Sequence, residues 1–134
     1  MKELAVRLKN GADLKLSIQE LAVTKQMDGA IVLSAVGSLK RLKIRLAKAK
    51  TYKVVEDDLE IVSLIGTVVK GEAHLHIAAS DDQGNCIGGH LCEGSLVNTT
   101  CELVLGVFEE YQVRRELDED TGYKEIKFIR NEEQ

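Results

Sequence analysis

Leu59-Glu60-Ile61-Val62-Ser63-Leu64-Ile65-Gly66-Thr67-Val68-Val69 and, three residues on, Ala73-His74-Leu75-His76-Ile77-Ala78-Ala79-Ser80 decide the fold. The first run is rich in β-branched residues and both are short of helical periodicity, so they read as two strands, the first long and mostly buried. The connection Lys70-Gly71-Glu72 is too short for a helical crossover, which makes the pair antiparallel. Upstream, Leu4, Val6 and Leu8 alternate with polar or small residues as a half-buried strand does. Asp13 then offers an N-cap to a helix whose apolar face is Leu14, Ile18, Leu21 and Ala22, with Asp28-Gly29 as its stop. Ala30 to Val36 reads as a central strand ended by Gly37-Ser38, and Leu42, Ile44 and Leu46 alternate with Lys43 and Arg45 in a strand with one wet face. Downstream, Leu103 to Val113 reads as one more strand before the turn Asp118 to Gly122, and Tyr123, Ile126 and Phe128 close the set. The expected fold is α+β: one domain over residues 1–134, a mainly antiparallel sheet with one or two helices.

Charge and composition bound the function classes. No apolar run approaches the roughly eighteen residues of a membrane helix, and Met1 to Val6 contains no apolar leader core. Cys86, Cys92 and Cys101 are odd in number and lack metal-type spacing, which argues against a disulfide framework. The reading is a soluble, cytoplasmic protein. Net charge is −4, but residues 1–55 hold twelve Lys or Arg against four acids and residues 56–134 hold six against eighteen, so the halves carry +8 and −12. In one folded domain such halves interleave and neutralise each other. Within the basic half, Arg41, Lys43 and Arg45 share one strand face and are the candidates for phosphate contact, with weak nucleic-acid binding as the corresponding partner; lysines along an exposed strand also guard against sheet aggregation. Only Tyr52 interrupts this run, so no stacking platform for bases is present.

The site chemistry is concentrated between His74 and His90, which hold every histidine of the chain. Two imidazoles two residues apart on a strand point to the same face, with Leu75 to the other. Asp81-Asp82-Gln83-Gly84-Asn85 is a strong turn signal, so Ile87 to Leu91 doubles back beside the histidine strand. An odd loop centred on Gln83 sets His90 across from His76. A two-residue turn at Gln83-Gly84 sets it across from Ile77, on the wrong face, unless a bulge at Gly88-Gly89 restores it. Three neutral imidazoles on one hairpin form the shell of a zinc-type site, for zinc or another divalent transition metal, with a fourth position left for water or a small ligand. Occupancy is then expected to fall as pH drops through the histidine range near 6.5. Cys92, Glu93 and Asp81 are additional donors within reach; histidines that only serve the sheet are the competing reading.

Gly37-Ser38-Leu39, Glu60 to Thr67, His74-Leu75-His76, Gly88-Gly89-His90-Leu91 and Val97-Asn98-Thr99-Thr100-Cys101-Glu102 together carry a resemblance that covers nearly the whole chain. The sequence resembles the plants and prokaryotes conserved (PPC) domain family, in its stand-alone prokaryotic type. The resemblance implies an antiparallel sheet with few helices, a homotrimer, and His74, His76 and His90 as metal ligands. In plants the domain follows AT-hooks, which need proline; this chain has none. Asp57-Asp58-Leu59 stand where the plant proteins carry Gly-Arg-Phe before Glu60-Ile61. The implied function is a trimeric regulatory module linked to DNA or transcription and bearing a three-histidine metal site. The alternative is a metal-dependent enzyme acting on a small anionic ligand at an open zinc position.

Overall fold

The structure, a computed structural model, describes residues 1–132. Nine strands and one helix follow in the order β1 (Lys2–Lys9), α1 (Leu14–Thr24), β2 (Gly29–Arg45), β3 (Tyr52–Val55), β4 (Leu59–Val69), β5 (Glu72–Ser80), β6 (Cys86–Leu91), β7 (Leu96–Val107), β8 (Tyr111–Leu117) and β9 (Lys124–Arg130). Seven of the strands build one sheet in the order β1-β7-β2-β4-β5-β6, with β3 on β2; β8 and β9 pair separately. Every pairing among the described residues is antiparallel, as the short connections require. Two residues of β6 return to the end of β2, Leu91 opposite Ile44 and His90 opposite Arg45, so β2, β4, β5 and β6 close into a ring. That closure carries the third histidine back to the sheet.

The helix begins where Asp13 caps it, accepting from the Leu16 N–H at 3.0 Å. Its face of Leu14, Ile18 and Ala22 is buried in one core with Leu39, Leu59, Leu64, Leu75 and Leu105 of the sheet. Gln19 fixes the helix to the histidine strand, its Oε1 accepting from the Ala73 N–H at 3.1 Å. On the side of the sheet away from this core, Leu33, Val36, Val62 and Ile65 stay exposed, between 49% and 60% of their surface open. One helix does not cover both sides of such a sheet.

Two sequence readings are corrected here. The expected break at Gly37-Ser38 does not occur: β2 runs unbroken for 17 residues, with register shifts against β7. A Cβ on Gly37 would lie 2.2 Å from the Thr100 carbonyl oxygen. The glycine serves the close approach of a neighbouring strand instead of a turn. Conversely, Leu103 to Val113 is not one strand. Phe108, Glu109 and Glu110 separate β7 from β8, and Phe108, Tyr111 and Phe128 meet there edge to face with centroids 5.9–6.3 Å apart. The short strand β3 was not anticipated.

Candidate metal centre

The loop Asp81–Asn85 decides between the two registers. Asp81 Oδ1 accepts from the Gln83 and Asn85 N–H groups, each at 2.9 Å, and the Asp81 N–H donates to the Asn85 carbonyl. This self-closed turn has five residues, pairs Ser80 with Cys86, and sets His76 directly opposite His90. His74 and His76 leave β5 on the side away from the core while Leu75 and Ile77 are buried beneath. Gly88 and Gly89 let β6 fit between its two neighbours: a Cβ on Gly88 would lie 2.6 Å from the Ile77 carbonyl oxygen, and one on Gly89 would lie 2.7 Å from that of Arg45. The Gly-Gly-His order is thus a steric requirement for bringing His90 to the shared face. The chain beyond is held by the fully buried Ser95. Its hydroxyl lies 3.0 Å from the Cys92 carbonyl and 3.2 Å from that of Lys43, and accepts from the Lys43 N–H at 3.0 Å.

The three imidazoles form a nearly even triangle, with ring centroids 5.3, 5.4 and 5.8 Å apart. One nitrogen from each lies within 4.8 Å of the others. None of the three rings hydrogen-bonds to a described residue, and His90 Nδ1 is buried without a partner. A buried imidazole nitrogen left without a partner suits a ring that awaits a cation, since a purely structural histidine in a sheet would be expected to satisfy it. Burial, then the charges of Arg45 and Lys15 and the other two imidazoles, press His90 down to about 4 from the usual 6.5. Burial, Arg115, His76 and Arg45 lower His74, with Glu125 opposing. Both rings are therefore held toward the neutral, metal-binding form, His90 the more strongly. The residues present fit a divalent ion bound through three neutral imidazoles, and such an ion, when bound, supplies Lewis acidity and positive charge at the open side.

Other candidates are not brought into this group. Cys92 lies just past β6 with its Sγ 3.6 Å from the His90 carbonyl oxygen, Asp81 is engaged by its own turn, and Glu93 is outside the cluster. The basic strand is divided among different neighbours. Arg41 Nε lies 3.3 Å from Glu56, with its other end toward the Gly94 carbonyl; Lys43 sits over the Tyr52 ring; Arg45 stands beside His90. What the sequence reading missed is that the β8–β9 hairpin reaches the histidines. Arg115 reaches Thr67, the residue paired with His74, at 3.4 Å, and Arg115 and Glu125 line a cleft with His74 and His76. No spacing rule links these residues to the histidines, because the hairpin reaches them only through the tertiary fold.

A nearly all-antiparallel domain with one helix, presenting three histidines from a single strand hairpin, defines the class of protein. The chain belongs to the Plants and Prokaryotes Conserved (PCC) domain family, whose model matches residues 1–109. It is 40% identical over 121 residues to the bifunctional protein GlmU of Synechococcus sp. (strain JA-3-3Ab), a match covering 90% of this chain and 20% of that protein. The chain thus spans about one fifth of the length of the curated relatives it matches. Among solved structures, a hypothetical protein of Salmonella enterica superposes with a TM-score of 0.92 at 29% identity, covering 96% of this chain and 94% of that one. A metal-containing protein from Archaeoglobus fulgidus superposes with a TM-score of 0.74 at 30% identity, covering 98% and 94%. A candidate DNA-binding protein from Bacteroides thetaiotaomicron shares the fold at 21% identity, with a TM-score of 0.81 and coverage of 94% and 91%.

Proposed function

We propose that this PCC domain is a metal-binding regulatory module in which His74, His76 and His90 hold one zinc or other divalent transition ion. The observation that carries the reading is the convergence of three unpartnered imidazoles from two paired strands, in surroundings that keep His74 and His90 neutral. The metal content of the Archaeoglobus fulgidus relative supports it. The domain assembles as a homotrimer, a state supported by the exposed apolar side of the sheet, where Ile65 lies directly across from His76. Contact with DNA, the activity ascribed to the Bacteroides thetaiotaomicron neighbour, is weak, indifferent to sequence and steeply salt-dependent in this chain, because its basic run is divided among separate contacts.

Element analysis tests the metal reading. Wild-type protein supplied with zinc should carry one equivalent per chain, and His76→Ala should lose most of it, since His76 faces His90 across the hairpin and His74 along its own strand. Chelation should strip the ion and leave the circular dichroism of the sheet intact, because the core is built without it. Full zinc in His76→Ala would refute the proposal.

A further inference from the structure

Arg45 is half-buried at the end of β2, opposite His90, and makes no ion pair or side-chain hydrogen bond among the described residues. A guanidinium withdrawn from water without a carboxylate partner is unfavourable unless something else supplies the negative charge. Arg115, also half-buried, lines a cleft with His74 and His76. Its contacts are Thr67 Oγ1 at 3.4 Å and the Lys124 carbonyl at 3.5 Å, both neutral, and it too lacks a carboxylate partner among the described residues. His76 lines a cleft with each of them. One cleft of about 670 Å³ is lined by Arg45, His76, His90 and Tyr123, and another of about 320 Å³ by His74, His76, Arg115 and Glu125. The carboxylate of Glu125, exposed and outside ion-pairing range of Arg115, offsets one of the two positive charges. With a divalent ion on the histidines, the surroundings are strongly positive.

We propose that the histidine centre is a binding site for a small oxyanion, a phosphate or carboxylate group, held by Arg45 from β2 and Arg115 from the C-terminal hairpin. Guanidinium groups present paired donors that match both kinds of oxyanion, which ammonium groups do not. The hairpin lies outside residues 1–109, the part matched by the family model, and brings Arg115 to the histidines through its contact with Thr67. The proposal rests on the metal reading, because the ion supplies part of the attraction.

The test uses the full chain loaded with cobalt(II), its metal content measured on every sample, and titrated with inorganic phosphate and with malonate. Either anion should change the visible cobalt bands of the wild type, and isothermal titration should give a saturable heat. Arg45→Gln and Arg115→Gln should each weaken anion binding tenfold or more while retaining one cobalt per chain. Arg114→Gln, on the neighbouring position of β8 and paired with Glu116, should bind as wild type. Cobalt-loaded protein that responds to neither anion, or arginine variants that bind as wild type, would overturn the oxyanion site and leave the metal centre standing. Wild type that takes up no metal would overturn both.

Discussion

Replacing Gly89 by alanine tests how the fold delivers His90, and its magnitude follows from the strand spacing. The added Cβ would lie 2.7 Å from the Arg45 carbonyl oxygen and 3.3 Å from the Ile44 side chain, whereas ordinary contact begins at 3.4 Å. Backbone cannot give way as a flexible side-chain tip would. β6 must therefore move off β2 by about 0.7 Å, at a site where only two residue pairs join these strands. Overpacking of this kind costs about 1–3 kcal/mol. The larger consequence is for the metal, whose bonds to nitrogen tolerate errors of about 0.2 Å. A shift of His90 several times that size should weaken zinc binding by about 10- to 100-fold, the loss typical of disturbed ligand support. Competition with a chromophoric chelator measures the affinity, and urea unfolding of metal-free protein measures the stability. Zinc affinity within twofold of wild type would show that the Gly88-Gly89 pair does not position His90, and the steric account of the motif would fail.

Other perturbations act on separate parts of the account. Folded His90 resists protonation down to about 4 while the unfolded chain takes up its proton near 6.5, so metal-free protein should lose stability as pH falls through that interval and level off below it. The full difference is worth about 3 kcal/mol, solvent at this half-open site should screen it to about 1 kcal/mol, and urea midpoints that do not change between pH 7 and 4 would contradict the burial of the ring. Ser95→Ala leaves the turn after β6 without its buried hydroxyl and should cost about 1–3 kcal/mol in urea unfolding; an unchanged midpoint would show that the turn is held otherwise. Val62→Asp, on the exposed side of β4, should give monomer in sedimentation without loss of folded signal where wild type gives the proposed trimer; wild type that is already monomeric at micromolar concentration would overturn the proposed assembly.

Local rules made much of this molecule legible. Alternation marked β1, the His74-Leu75-His76 spacing and the turn after Ser80 marked the two histidine arms, and Asp13 with the Leu14-Ile18-Ala22 face marked the helix. The register of the hairpin remained two-valued in the sequence because either turn length closes Asp81 to Asn85; the structure selects the longer one through the hydrogen bonds of Asp81, a signal that an Asx turn in that loop supplies in principle. Gly37 misled because the same residue type marks turns and close strand approaches, and only the position of Thr100 distinguishes them. Arg45 was legible as a charge but not as a neighbour of His90, since the closure of β6 onto β2 is a long-range contact. Arg115 had no local signal at all: the contact between the β8–β9 hairpin and Thr67 depends on the tertiary path of the chain.

The central claim is that one ion sits on three histidines of one hairpin, and a crystal of zinc-supplemented protein, measured on both sides of the zinc absorption edge, tests it most directly. The account predicts one anomalous peak per chain within about 2.0–2.1 Å of a nitrogen of His74, His76 and His90, with Cys92 Sγ outside bonding distance. A peak bound through Cys92 or the acidic loop, or no peak at the three imidazoles, would contradict it.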